Sequence, residues 1–277
     1  MVAASITPAT SATSPLAVLG SSSLTAYWRF QRAVAAAQLR AWLPPGGRVL
    51  LDISGPRSSV AVQAAASGYR VIRVLPPATY PGGEAGPGAV PRGSRAGGRP
   101  PGQVVPLVAD PVRLSFLADG TVDGVIAEDG ALSAYLMAED IAAEISRVLR
   151  PGGQLLACVD SLVLGMSILA EQHHWAELTD LPQAEVVLIP WPDGRITRCF
   201  GPEQLTDLLA EAGLEVSWIR PRTVLSPSMV DHVLRREPGA ITRLVRAELA
   251  AGQEDGPTAG GSGSFGMYLL AAARKPG

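Results

Sequence analysis

The 277-residue chain predicts an α/β fold, doubly wound around a mostly parallel sheet. Two observations point there. Between residues 48 and 159, β-rich apolar runs alternate with amphipathic helical stretches, the order expected when helices cover both faces of a parallel sheet. The passages between them carry the Pro and Gly that stop helices and reverse the chain. A hydrophobic content of 47% and a mean hydropathy of +0.21 are ample for a packed core.

Each element follows from local spacing. Residues 1–22 are Ser, Thr, Ala and Pro without periodicity, and such a stretch predicts a loose tail before a domain over 23–277. From Leu24 to Leu43, Leu24, Trp28, Val34, Leu39 and Trp42 recur at helical spacing, and "PPGG" at 44–47 ends that helix. Strand 48–53, helix 58–67 and strands 70–75, 104–108 and 122–127 come next. Helix 137–149 and strand 153–159 complete the alternation. Pro and Gly crowd residues 76–103, which read as a long loop. Beyond Asp160 an amphipathic helix is expected to about Leu178, then a hairpin around "PDG" within 184–200, so that 161–200 forms a helix-hairpin insertion. "PEQLTDLLAEAG" is punctuated by Pro202 at its first turn and Gly213 at its end. Strand 214–220, helices 227–236 and 239–251, a Gly-rich loop and the closing strand "FGMYLLAAARK" finish the chain.

A net charge of −2 and a pI near 6.0 give no electrostatic case for nucleic acid or an anionic membrane. Cys158 and Cys199 lie in apolar strand-like runs and read as reduced core thiols, and metal-ligand spacing is absent. The opening residues lack the charge and apolar core of a signal peptide, and no apolar run reaches the ~20 residues that span a bilayer. The expectation is a cytoplasmic protein with a small-molecule partner.

Several strings resemble the class I S-adenosylmethionine-dependent methyltransferases from about residue 25 onward. "DGTVDGVIAEDGALSAYLMAEDIAAEISRVLRPGGQLLACV" is similar to that family's fourth strand, helix, "RVLRPGG" turn and fifth strand. "RCFGPEQLTDLLAEAGLEV" and "FGMYLLAAARKP" resemble its late helix, sixth strand and antiparallel last strand. The resemblance implies a seven-stranded sheet and S-adenosylmethionine as cofactor. Laid on the family's Asp and Gly-x-Gly-x-Gly pattern, the first turn gives Asp52, then Ser54, Pro56 and Ser58 at the glycine positions, with Gly55 between. The family's ribose-binding acid falls on Leu75. The resemblance places Asp110 and Pro111, with Val112, against the adenine, and Glu128 beside the methionine part. Cofactor candidates are therefore Asp52, Ser54, Gly55, Asp110, Pro111 and Glu128.

No catalytic constellation is evident, and methyl transfer needs alignment and desolvation more than a dedicated acid or base. His173 and His174 are adjacent in the expected 161–178 helix, where side chains point ~100° apart, so at most one would face a crevice. Asp160 reads either as an acceptor-orienting group or as the cap of the following helix, with the cap preferred. Three functions compete: a methyltransferase acting on a small nucleophile; a methyltransferase-like fold that has lost its cofactor and serves as a binding or regulatory partner; and a nicotinamide-binding protein, which leaves "RVLRPGG" unexplained. Ser54, Pro56, Ser58 and Leu75 are what the second predicts.

Overall fold

A computed structural model describes residues 25–55, 58–76, 102–181, 184–191, 194–252 and 266–277. The expected tail, Pro56 and nearly all of the 76–103 loop lie outside these residues. The described elements are α1 (Thr25–Trp42), β1 (Val49–Asp52), α2 (Val60–Ala66), β2 (Arg70–Leu75), β3 (Gln103–Val108), β4 (Val122–Ala127), α3 (Ala138–Val148) and β5 (Leu149–Asp160). They continue with α4 (Leu162–Glu171), α5 (Trp175–Asp180), β6 (Val187–Pro190), β7 (Ile196–Cys199), α6 (Pro202–Glu211), β8 (Glu215–Arg222), α7 (Pro227–Arg236), α8 (Ile241–Ala251) and β9 (Tyr268–Arg274).

Seven strands form one sheet in the order β3-β2-β1-β4-β5-β9-β8. Strands β1 to β5 pair in parallel, while β9 is antiparallel to both β5 and β8. Successive strand residues face opposite sides, and the two cores divide accordingly. Leu50, Ile126, Leu156 and Leu270 pack under Leu39 and Trp42 of α1 and Val60 and Ala64 of α2. Leu51, Val125, Leu155 and Ala271 pack on the opposite face against Ile141 and Ile145 of α3 and Leu205 and Leu209 of α6. Burying each such Leu or Ile contributes about 1.5–3 kcal/mol, which is what holds helices to sheet.

The expected "RVLRPGG" reversal is present and tied down from afar. Gly152 has φ +73°, a conformation that favours glycine. The N–H of Gly152 donates to Lys275 O and the N–H of Lys275 to Gly153 O, both at 2.9 Å. Lys275 Nζ donates to Ser146 O (2.7 Å) and Leu149 O (3.0 Å), satisfying carbonyls at the end of α3.

One expected helix is two. The segment 161–178 breaks at His173, which has φ +61°, so α4 stops at Glu171 and α5 starts at Trp175. Apolar spacing runs across the break, and a left-handed non-glycine residue leaves no mark in the pattern. The β6–β7 hairpin forms as expected and folds onto α4, burying Leu164, Ile168, Val187, Ile189 and Cys199 together. On the other flank, Tyr27, Phe30 and Val34 of α1 meet Val230 and Leu234 of α7. Asp231 Oδ1 accepts a hydrogen bond from Tyr27 N (3.3 Å), which fixes the first turn of α1.

Candidate functional site

In this strand order β2 and β3 are added on one side of β1 and β4 and β5 on the other, so the winding switches between β1 and β4. Ligands of open α/β sheets lie beyond the carboxyl ends of the strands at such a point. Asp52, Ser54 and Gly55 come together there at the end of β1, facing Glu128, Asp129 and Gly130 at the end of β4.

The β1–α2 turn is built from its own polar groups. Asp52 is fully buried, and its Oδ1 accepts from Ser54 N at 3.0 Å, an Asx turn that bends the chain off the strand. Ser54, also fully buried, accepts Glu128 N on its Oγ at 2.9 Å and so stitches the ends of β1 and β4 together. Arg73 reaches in from β2, in register with Asp52. Its Nη2 donates to Ser58 O (2.9 Å) and Gly55 O (3.4 Å), and its Nε stands 3.7 Å from Asp52 Oδ2. Burial pushes the Asp52 carboxyl up to about 6, with the Ser54 hydrogen bonds and Arg73 working in the opposite direction.

Glu128 is paired. Its carboxylate meets the Arg222 guanidinium in a two-pronged bridge of 2.6 and 2.8 Å, and both side chains are buried. Arg222 Nε also donates to Gln38 of α1 at 2.8 Å, so one arginine connects β8, β4 and the N-terminal helix. Next to it Thr223 is buried at φ +63°, an unfavourable conformation for a β-branched residue, with its hydroxyl accepting from Gln31 of α1. Arg222, Arg73 and Thr223 carry no signal in the sequence, because their partners lie 94, 21 and 192 residues away along the chain. Asp129 and Gly130 both adopt positive φ, 60° and 69°, and turn the chain at the crevice. The Asp129 carboxylate lies over Gly55, its Oδ2 3.4 Å from where a Cβ on that glycine would stand.

Asp110 sits past the end of β3, exposed, with Oδ1 accepting from Val112 N at 3.0 Å, and Pro111 beside it is buried. Leu75, on which the resemblance put the family's ribose-binding acid, ends β2. Asp160 ends β5, and the helix cap is its neighbour Ser161, whose Oγ accepts from Leu164 N at 3.3 Å. The cap preferred for Asp160 is thus displaced by one residue. The Asp160 carboxylate instead accepts from Thr197 Oγ1 at 2.6 Å. Burial, with Asp129 repelling it and Thr197 and Arg195 opposing, pushes its pKa up to about 6.

His173 and His174 lie in the break between α4 and α5, not within a helix. His173 packs its ring on Trp175 and His174 faces Glu177 at 3.7 Å. Tyr27 is buried in the α1–α7 core, while Trp28 is exposed. Both cysteines are buried free thiols. A separate groove of about 430 Å³ runs along α1, β8, β9 and α8, lined by Gln38, Trp42, Trp218, Arg220 and Leu249 among others. Among the described residues no helix is long and apolar enough to cross a membrane, and no group of three His, Cys, Asp or Glu is placed to hold a metal ion.

No protein-family model and no curated protein sequence matches the chain. Solved structures do. A 1,6-didemethyltoxoflavin-N1-methyltransferase from Burkholderia thailandensis, with 1,6-didemethyltoxoflavin and S-adenosylhomocysteine bound, superimposes with TM-score 0.53 at 19% identity over 99% of this chain and 94% of that one. A S-adenosylmethionine-dependent methyltransferase from Methanosarcina mazei gives 0.52 at 14% identity, covering 86% and 97%. The [4+2]-cyclase SpnF gives 0.50 at 16% identity, covering 87% and 80%. Sheet order, the antiparallel β9 and these superpositions together establish that the chain has the class I S-adenosylmethionine-dependent methyltransferase fold.

Proposed function

We propose that the chain is a S-adenosylmethionine-dependent methyltransferase that acts on a small-molecule nucleophile. The carrying observation is the switch in strand order between β1 and β4, where the Asp129 carboxylate overhangs Gly55. A carboxylate there suits a cationic sulfonium ligand by opposite charge. The residues fit the cofactor at its two ends. Asp110, Pro111 and Val112 would hold the adenine. Asp52, Ser54 and Gly55 shape the turn beneath the methionine part, and Glu128 would contribute its main chain, since its carboxylate is engaged by Arg222. The ribose is the weak point, because Leu75 offers its hydroxyls no partner. When bound, the cofactor supplies an electrophilic methyl group.

Specific observations favour a second reading, a binding or regulatory protein on the same fold. Ser54 Oγ is spent on Glu128 N, Arg73 fills the turn, and Leu75 replaces the acid. Folds also host unrelated chemistry, so the superpositions do not decide between the two. Calorimetric titration with S-adenosylmethionine and S-adenosylhomocysteine does. Micromolar binding, weakened about tenfold or more by Asp110→Ala through loss of a charged hydrogen bond, upholds the methyltransferase reading and the adenine placement. No heat and no ligand-induced shift in Tm selects the second reading.

A further inference from the structure

The acceptor side of the crevice carries a group that neither the turn nor the cofactor residues use. Asp160 is held from several directions. Its N–H donates to Ser133 Oγ at 2.8 Å, its Oδ2 accepts from Thr197 Oγ1 at 2.6 Å, and its carbonyl accepts from Phe200 N at 2.9 Å. Those contacts come from the loop after β4 and from the hairpin, so the carboxylate is fixed in place. The other oxygen, Oδ1, accepts no hydrogen bond among the described residues. It lies 3.3 Å from where a Cβ on Gly130 would stand, and Gly130 has φ +69°, so a glycine both permits the turn and leaves that oxygen uncovered. Paired with it on the neighbouring strand is Tyr268 of β9, half-buried, whose side chain stands beside that of Asp160.

The surroundings restrict what binds there. Asp129 from the β4 end repels an anion, and Arg195 from the hairpin is the cation acting on Asp160. Cys158 of β5 and Cys199 of β7 are thiols that burial keeps neutral, as it does the phenols of Tyr268 and of Tyr27 on α1. An ammonium carries three donors and would find one open oxygen on Asp160, whereas a hydroxyl needs only one acceptor. A flat apolar body suits the ring of Tyr268. We propose that Asp160 Oδ1 is the docking atom for the methyl acceptor, taking a hydrogen bond from the hydroxyl of a small uncharged phenol laid beside Tyr268. That the docked phenol is a methyl acceptor rests on the methyltransferase reading; the docking atom does not.

Calorimetric titration of the full chain with phenol, toluene and benzylamine tests this. Phenol should bind more tightly than toluene, and Asp160→Asn should weaken phenol about tenfold while leaving toluene unchanged, since a hydrogen bond to a charged group is lost. Phenol affinity should fall as pH drops through about 6 and the carboxyl protonates, and this fall should vanish in Asp160→Asn. Thr197→Val provides a second variant should the first misfold: with Oδ2 deprived of its donor, the fall should move to higher pH. Equal affinity for phenol and toluene, unchanged phenol binding in Asp160→Asn, an unshifted profile in Thr197→Val, or tighter benzylamine would each overturn the proposal. S-adenosylhomocysteine titrated into the same proteins separates the two ideas. Binding of that ligand without the phenol effects removes the docking atom alone, and the phenol effects without that ligand remove the methyltransferase reading alone.

Discussion

Asp52 shows what burial does to a single carboxylate. Folding raises its pKa from the ordinary 3.8 to about 6, so between these values the folded chain holds a proton that the unfolded chain releases. Stability linked to this group is therefore full at low pH and declines as pH rises through that window, by up to roughly 3 kcal/mol. Carboxylates whose pKa is lowered, Asp123, Glu139 and Glu144, act in the opposite sense, their contribution being lost as pH falls. Asp52→Asn isolates the one effect: relative to wild type it should gain stability on going from about pH 4 to pH 7, read from urea midpoints. An identical pH dependence in the variant would mean that Asp52 is solvated. The residue itself was legible in the sequence, because an Asp closing an apolar run before a turn has few places to go. Arg73 was not, since nothing in a β-strand's alternation says that a cation at its far end will reach into another strand's turn.

At the level of elements, the Glu128–Arg222 bridge joins β4 to β8 beneath α1. A buried pair loses most of its hydration, so the attraction between partners largely offsets a cost already incurred, and breaking it strands a charge. Glu128→Gln and Arg222→Met should each destabilise by about 3–5 kcal/mol, and the double variant by clearly less than their sum. A double-mutant cycle from denaturant unfolding measures this, and additive losses would show the two groups to be independent. Helices and strands themselves were legible almost throughout, because period and punctuation are local properties. The exceptions are instructive. The α4–α5 break at His173 is a backbone event without a composition signal, and the pairing of Glu128 with Arg222 is decided by tertiary packing between segments 94 residues apart.

For the whole molecule, the decisive feature is β9. Its apolar run marked it as a strand and the resemblance made it antiparallel, but its place between β5 and β8 is seen only in the fold. It contacts β5 along seven residues and β8 along a similar length, and Lys275 just beyond it closes the α3–β5 turn. Removing residues 266–277 should abolish a cooperative thermal transition, observable by circular dichroism, rather than trim a loose end; retention of a sharp transition would contradict the sheet order. Among the described elements β9 follows both β5 and β8 in the chain and lies between them in the sheet. During synthesis, then, β5 and β8 are made long before their common partner and present open edges meanwhile, a state prone to pairing with the wrong strand.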